Sequence, residues 1–598
     1  MSTPTAKISS STRQRFCLIL VKPSHYDDDG YVIQWFRSVI PSNSLAVLFG
    51  LVRDCAERRV LGNNVDIELY AFDESTTRVR PERLARLIRK AGAGMVMMAG
   101  VQSNQFPRAL DLAKPLRERG IQVCIGGFHV SGAMAMLSGD DADLHRAEAM
   151  GVSLFAGEAE GRLEQVLRDA FAGTLKPLYN FMADLPKIEG APIPLIADTR
   201  PPHTLGGISS FDAGRGCPFQ CSFCTIINVQ GRKSRCRSPD DIEKVVRENV
   251  AQGLHRFFIT DDNFARNHDW EPILDRLIYL RTVEKMDVGF TLQVDTLCHK
   301  IPRFIEKATT AGVKRVFIGL ENINPDSLTG AKKRQNKITE YRRMLLAWKQ
   351  ARVVTFAGYI IGFPNDTIES IRCDIEIIKK ELPVDLLEFF CLTPLPGSED
   401  HKKLVDAGTI IDPDLNRYDN THVTASHQKM SRPEWERAYQ IAWETYYTMD
   451  HMETVLRRLH AKGVSAASAV LLLTWFMGSI NIEKIHPLES GLLRFKFRRH
   501  RRPGHPTPPA WTFYPIYFAE SVTKLTKWAL LYLRLHRIHA RIKRDAHKRD
   551  YMDLALTPVT DEDLQDLEMF HTRAASGFVE REQRQRAKQT QEQEALAL

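Results

Sequence analysis

Short apolar runs alternate with amphipathic segments along most of this chain, and the pattern occurs twice, on either side of one Pro-rich passage. Residues 16–21 (F-C-L-I-L-V) run into Pro23 as a buried strand would, and residues 65–72, 95–99, 123–125 and 152–155 repeat the theme. Between them, residues 45–60, 81–91 and 106–119 carry apolar side chains at helical spacing. Strands alternating with helices build a parallel sheet covered on both faces. Residues 14–180 are therefore expected to form a Rossmann-like, doubly wound α/β domain. Such sheets bind ligands beyond the carboxyl ends of their strands, which makes residues 22–31, 100–105 and 126–132 the candidate rim.

Residues 181–204, including L-P-K-I-E-G-A-P-I-P, read as an extended interdomain linker. The alternation then resumes, with strands expected at 208–213, 256–260, 287–294, 315–319, 354–361 and 386–392 and helices at 240–252, 270–283 and 302–311. Six such units predict a partial (β/α)6 TIM-type barrel over residues 205–425, with its active site at the carboxyl ends of the strands. Residues 426–572 read as a mostly α-helical, basic region, and 573–598 as a polar tail, frayed or disordered.

Directly after the first barrel strand comes R-G-C-P-F-Q-C-S-F-C, which places Cys217, Cys221 and Cys224 on one loop. Ten cysteines in 598 residues are too few for a disulfide scaffold, and residues 1–15 are Ser/Thr-rich with no apolar signal core. The chain is thus expected in a reducing cytoplasm, where clustered cysteines read as metal ligands. Three thiolates spaced C-x3-C-x2-C can serve three irons of a cubane and leave the fourth iron to a non-protein ligand. Structural zinc would need a fourth protein ligand, and Cys236 is either that ligand or a simple thiol.

G-C-P-F-Q-C-S-F-C after a barrel strand resembles the cluster loop of radical S-adenosylmethionine (SAM) enzymes. The resemblance covers residues 205–420 and implies a 4Fe–4S cluster on Cys217, Cys221 and Cys224, with SAM chelating the remaining iron. Phe223 matches the aromatic whose backbone approaches the adenine. T-D-D-N-F at 260–264, with Asp262 and Asn263, stands where the family contacts the methionine end of SAM. G-L-E-N with Glu321 ends the fourth strand, and G-F-P-N-D-T with Gly362 and Phe363 ends the fifth. A carboxylate suits an ammonium or ribose hydroxyls, and glycine lets backbone come close to a ligand. Each motif alone is also good turn or cap chemistry, and Asp261 with Asp262 would serve as a helix cap.

A Rossmann-like domain ahead of such a barrel is similar to the cobalamin-dependent branch of that family. I-G-G-F-H-V-S-G at 125–132 resembles its Gly-Gly-x-His stretch and implies corrin contacts at Gly126, Gly127 and His129. G-E-A-E at 157–160 and P-S-N-S-L-A-V-L-F-G at 41–50 also match features of such domains. The D-x-H-x-x-G pattern that places histidine beneath cobalt is absent, because Asp143 and His145 are followed by Glu148 at the glycine position. His145 reads as a surface residue, and His129 as either a corrin contact or a turn histidine.

The net charge of +9 is concentrated in residues 494–549, where aromatics interleave with Lys, Arg and His. Residues 463–482 contain no charge and form either a bilayer span or a buried helix. Basic and aromatic residues suit nucleic acid or an anionic membrane interface; beside an uncharged helix the membrane is favoured and nucleic acid is not expected.

The expectation is a radical SAM enzyme, with cobalamin, that methylates or remodels an unactivated carbon of a small apolar or membrane-associated molecule. Its electrons would come from a protein such as flavodoxin or ferredoxin, at the inner face of the membrane. The alternatives are a radical SAM enzyme without corrin, a tRNA methylthiotransferase, and a non-catalytic metal-binding DNA regulator.

Overall fold

The computed structural model describes residues 13–584 except 138, 196–203, 205, 410, 559–566 and 583. Its first third holds β1 (Gln14–Lys22), β2 (Gln34–Ser38), β3 (Val65–Asp73), β4 (Gly92–Met98), β5 (Gln122–Gly126), β6 (Ser153–Ala156) and β7 (Leu178–Asn180). All but β2 form a parallel sheet in the order β3-β1-β4-β5-β6-β7. The run from Phe16 to Val21 is fully buried, so β1 is covered on both faces. Helices Pro81–Ala91 and Phe106–Arg117 cover one face through Leu84, Ile88, Ala109 and Leu112. Asn43–Glu57 and Leu163–Ala172 cover the other through Val47, Leu51, Val166 and Leu167. The domain is doubly wound, and its strand order reverses between β1 and β4, where ligands of this architecture gather.

The linker is strapped to this domain rather than free. The Leu195 N–H donates to the Ala46 carbonyl at 3.1 Å, and Ile193 is buried. Its residues 196–203 lie outside the described residues.

In the second sheet, β8 (Ile208–Phe211) is followed by a short antiparallel pair, β9 (Gly214–Arg215) and β10 (Arg235–Cys236). Then come β11 (Arg256–Ile259), β12 (Gly289–Val294), β13 (Val313–Glu321), β14 (Val354–Ile361) and β15 (Leu386–Cys391). The parallel order β8-β11-β12-β13-β14-β15 leaves β8 and β15 as unjoined edges, so the barrel is partial. Ser238 and Asp241 form a capping box for helix Pro239–Ala251, and Thr367 and Ser370 one for Ile368–Glu381.

Helices Arg432–Tyr446, Met449–Ala461 and Ala466–Gly478 extend the barrel core through Trp443, Leu456 and Leu473. Ala466–Glu483 is long and apolar enough to cross a membrane, yet 56% of that stretch is buried inside the protein. The helix packs as a core helix. Ala575 and Val579 at the start of the expected tail also pack on this core; the rest of the tail, apart from residue 584, lies beyond 582, outside the described residues.

β16 (Gly491–Phe495) was not foreseen in the sequence. It pairs antiparallel with β2, Gly491 opposite Ser38 and Phe495 opposite Gln34. Trp35 is fully buried there, and its indole N–H donates to the Glu489 carbonyl at 2.9 Å. The C-terminal region thereby reaches back over the N-terminal domain, and the chain continues into helix Ala510–Arg544.

Candidate active site at the barrel mouth

The chain leaves β8 through β9 into the cysteine loop and returns through β10. Gly216 has φ 93°, and a Cβ there would stand 2.7 Å from the Lys233 carbonyl oxygen, so glycine lets the two arms close. The Cys217 N–H donates to the Gly231 carbonyl at 3.2 Å. Asp261, after β11, receives the Ala213 and Gly214 N–H groups at 2.7 and 2.8 Å on one oxygen and the Asn267 amide at 2.9 Å on the other. Asp261 therefore braces the loop entrance. The neighbouring Asp262 is exposed in the mouth, and its charge acts on Cys217 and Cys224. The surrounding protein and the Asp261 charge push the Asp262 carboxyl up to about 7. Asn263 is turned away, donating to Asp295 at 2.9 Å.

The three loop thiols are free, and burial raises Cys217 and pushes Cys224 up to about 12. Among the described residues no three His, Cys, Asp or Glu side chains stand close enough to hold one metal ion. A cubane takes one thiolate per iron and asks for wider spacing, so three unbridged thiols on one loop, within reach of each other's charge, fit it. Cys236 lies on the stem strand β10, 3.5 Å from the Ser234 hydroxyl. Cys17, Cys55 and Cys124 are buried in β1, helix Asn43–Glu57 and β5, which leaves the N-terminal domain without the second cluster a methylthiotransferase would need.

Glu321 ends β13 at a register shift, with φ 63°. A non-glycine residue in that conformation carries about 1–3 kcal/mol of strain, of the kind that concentrates at working sites. Its carboxylate, expected to meet SAM, is paired with Lys333. Lys333 is a residue the sequence reading missed. Burial alone would lower its pKa, but Glu321, Cys221 and Cys224 together raise it. Its ammonium lies 5.8 Å from the Phe223 ring centroid. Gln335 donates to the Cys221 sulfur at 3.4 Å, and Asn336 holds the carbonyls of Gly319 and Leu320 at 2.9 and 2.7 Å. K-K-R-Q-N at 332–336 has no periodicity to flag it.

Phe223, Phe363 and Phe390 form an apolar wall. Gly362 does not open onto a ligand on its Cα side: a Cβ there would overlap the Trp435 indole at 1.9 Å. Asp366 receives the Gly362 and Phe363 N–H groups at 2.8 and 3.0 Å.

Glu388 shares a face of β15 with Phe390 and stands opposite Gly358. It is buried with Oε2 unpartnered, and burial pushes its carboxyl up to about 8. The unfolded chain releases this proton near 4.5, so the group costs stability as pH rises from about 4.5 to about 8. Glu388→Gln should therefore gain over the parent across that window, by up to a few kcal/mol. Denaturant midpoints at about pH 5 and pH 8 check this; an advantage independent of pH would contradict it.

The N-terminal domain meets the cysteine loop through a buried ion cluster. Arg215 on β9 donates to Asp212 at 3.0 Å, Glu158 at 2.6 Å and Glu160 at 2.6 Å. Arg235 on β10 also pairs with Glu158. The G-E-A-E stretch thus clamps both arms of the loop. Helix Phe128–Met136 packs on the barrel, where a Cβ on Gly132 would lie 2.3 Å from the Pro396 carbonyl oxygen.

At the rim, a Cβ on Gly127 would strike the Val101 nitrogen at 2.1 Å, and one on Gly126 would crowd Phe155 at 3.2 Å. Both glycines thus permit close packing of the rim loops. His129 is in a helix, not a turn. It is fully buried on Phe106, with Nδ1 3.3 Å from the Ser103 hydroxyl and Nε2 unpartnered. Burial pushes it down to about 4, so the ring is neutral.

The sequence profile of the Radical SAM superfamily matches residues 213–378. Residues 213–378 are therefore read as a radical SAM domain. A radical SAM domain is an enzyme domain that carries a 4Fe–4S cluster and SAM, which sets aside the non-catalytic regulator. The chain is 27% identical over 322 residues to bacteriochlorophyllide d C-12(1)-methyltransferase of Chlorobaculum tepidum, covering 52% of this chain and 66% of that one. Among solved structures, the radical SAM methyltransferase TsrM from Kitasatospora setae, with tryptophan and a SAM analogue, superposes with TM-score 0.51 at 14% identity, over 72% of this chain and 89% of that one. The cobalamin-dependent radical SAM enzyme OxsB, with aqua-cobalamin and SAM, superposes with TM-score 0.50 at 12% identity, over 94% and 84%. At those identities the likeness is one of fold, and it spans the N-terminal domain as well as the radical SAM barrel.

Proposed function

We propose that the protein is a cobalamin-dependent radical SAM methyltransferase acting on an unactivated carbon of a small apolar molecule. The observation that carries this reading is the radical SAM mouth facing a doubly wound domain whose G-E-A-E carboxylates grip the cluster loop. Bound, the cluster and SAM supply a 5′-deoxyadenosyl radical and the corrin a transferable methyl group. The chain's own residues hold and shield these reactants. Cys217, Cys221 and Cys224 anchor the cluster. Lys333 offsets charge between the cluster thiolates and Glu321, and Asp262 offers an open carboxylate in the mouth. The wall of Phe223, Phe363 and Phe390 excludes water and suits an apolar substrate. Electrons would be delivered by a small redox protein such as flavodoxin or ferredoxin.

A second reading is direct hydrogen abstraction without corrin, in which Gly126 and Gly127 serve only the packing of the rim loops. Metal analysis separates the two. After anaerobic reconstitution with iron, sulfide and hydroxocobalamin, about four irons and one cobalt per chain are expected. Iron without cobalt would replace the first reading by the second.

A further inference from the structure

Among the described residues, none covers the outward side of helix Ala510–Arg544. Its inner side is anchored: Phe513, Leu535 and Ile542 are buried, Tyr517 donates to the Arg494 carbonyl at 2.9 Å, and Lys524 and Trp528 reach Glu483 at 2.9 and 3.0 Å. On the opposite arc Trp511, Tyr514, Phe518, Val522, Leu525 and Leu533 are exposed, Trp511 by 79% and Phe518 by 71%. At 3.6 residues per turn these six share one face, over roughly 33 Å of helix. The charged residues of that stretch, Glu520, Lys524 and Lys527, project from other faces. An aligned apolar strip of this length marks an interaction surface rather than scattered exposure.

The same helix also carries cations without counter-charges. Lys527, Arg534 and Arg537 make no ion pair among the described residues. At the start of the helix, Tyr514 is near enough to Arg78 to act on its charge, and there Arg78, Arg80, Arg108, Arg499 and His500 line a cavity of about 350 Å³. Three acids stand near these cations. Glu74 neutralises Arg108 at 2.6 Å, Asp111 accepts the Tyr26 hydroxyl at 2.7 Å, and Glu82 lies 3.6 Å from Arg119. Arg78, Arg80 and Arg499 have no carboxylate partner among the described residues. The Arg78 guanidinium lies over the Phe497 ring at 4.3 Å with Nε buried and unpartnered, and His500 Nδ1 is also unpartnered. Burial and the Arg80 charge both work against the Arg78 cation, a penalty that a bound anion would relieve.

We propose that this face docks on an anionic phospholipid bilayer, with the apolar strip at the boundary of headgroups and acyl chains and the arginine cavity receiving a lipid phosphate. An apolar strip by itself suits many partners; three unpaired arginines at its end select a phosphate-bearing surface. The inference goes beyond the proposed chemistry and does not depend on it, because vesicle binding is read without turnover.

The test is flotation of the full chain with vesicles of phosphatidylcholine alone or mixed with phosphatidylglycerol, at low and high salt. Preferential binding to the anionic vesicles, weakened by salt, is expected. Arg78→Ala/Arg80→Ala/Arg499→Ala should lower that partition roughly 100-fold, at about 1 kcal/mol per cation. Trp511→Glu/Phe518→Glu/Leu525→Glu should abolish binding to both vesicles, with SAM cleavage unchanged as the sign of an intact fold. Equal binding to neutral and anionic vesicles would overturn the proposal, as would retained binding by the arginine variant. Self-association that the glutamate variant dissolves, without vesicle binding, would assign the strip to a second copy of the chain and also overturn it.

Discussion

Cys217→Ala, Cys221→Ala and Cys224→Ala are each expected to reduce SAM cleavage to background, while Cys236→Ala retains it. On the proposed cluster assignment each of the first three removes the protein ligand of one iron, and none of the loop's neighbours named above supplies a replacement thiol. Asp262 is an acidic neighbour and Lys333 a cation, so neither substitutes for a thiolate. Cys236 sits on the hairpin stem opposite Gly214 and touches only Ser234 among side-chain hydrogen-bond partners. The measurement is 5′-deoxyadenosine or methionine released from SAM under strong reductant, alongside iron per chain. Full cleavage by any of the first three variants, or its loss in Cys236→Ala, would remove the ligand assignment.

The second large effect concerns stability. Arg215→Met should destabilise the protein by about 3–5 kcal/mol, because it strands buried carboxylates that have lost their counter-ion. Among the described residues Glu160 has Arg215 alone as an ion-pair partner, whereas Glu158 retains Arg235 and Asp212 retains Arg237 at 3.6 Å. Glu160→Gln in the Arg215→Met background should therefore recover part of the loss. Chemical denaturation reads both variants; a midpoint for Arg215→Met equal to that of the parent would mean that the clamp contributes nothing.

Much of this architecture is legible in the residues themselves. The inner parallel strands of both sheets are buried on two faces, so they read as continuous apolar runs, and the ends of the expected strands lie within three residues of the observed ones; β7, three residues long at a sheet edge, was not expected. Local patterning cannot reveal a partner far along the chain. β2 and β16 escaped notice because Q-W-F-R-S becomes a strand only when Gly491–Phe495 lies beside it. The same limit divides the site. Cysteine spacing states its chemistry outright. The roles of Asp261 and Asp262 separate only when Ala213 and Gly214 are seen to claim the first. That Gly362 also makes room for Trp435, 73 positions later in the chain, is visible only in the folded chain. Lys333 and the clamp arginines belong to no motif, and their importance comes from charges that folding gathers around them.

The pairing of β2 with β16 also sets a schedule for synthesis. Trp35 and its partner Glu489 are 454 residues apart, which at about 5–20 residues per second separates their appearance by roughly 20–90 s. During that interval the barrel and the N-terminal sheet have emerged from the ribosome, while the flap formed by residues 491–502 has not. Until it arrives, the rim loop around Gly30 and Tyr31 lacks the cover that Arg501 and Arg502 give it. A bulky prosthetic group destined for that rim would have its easiest entry before translation is complete, and the arrival of the C-terminus would act as the latch.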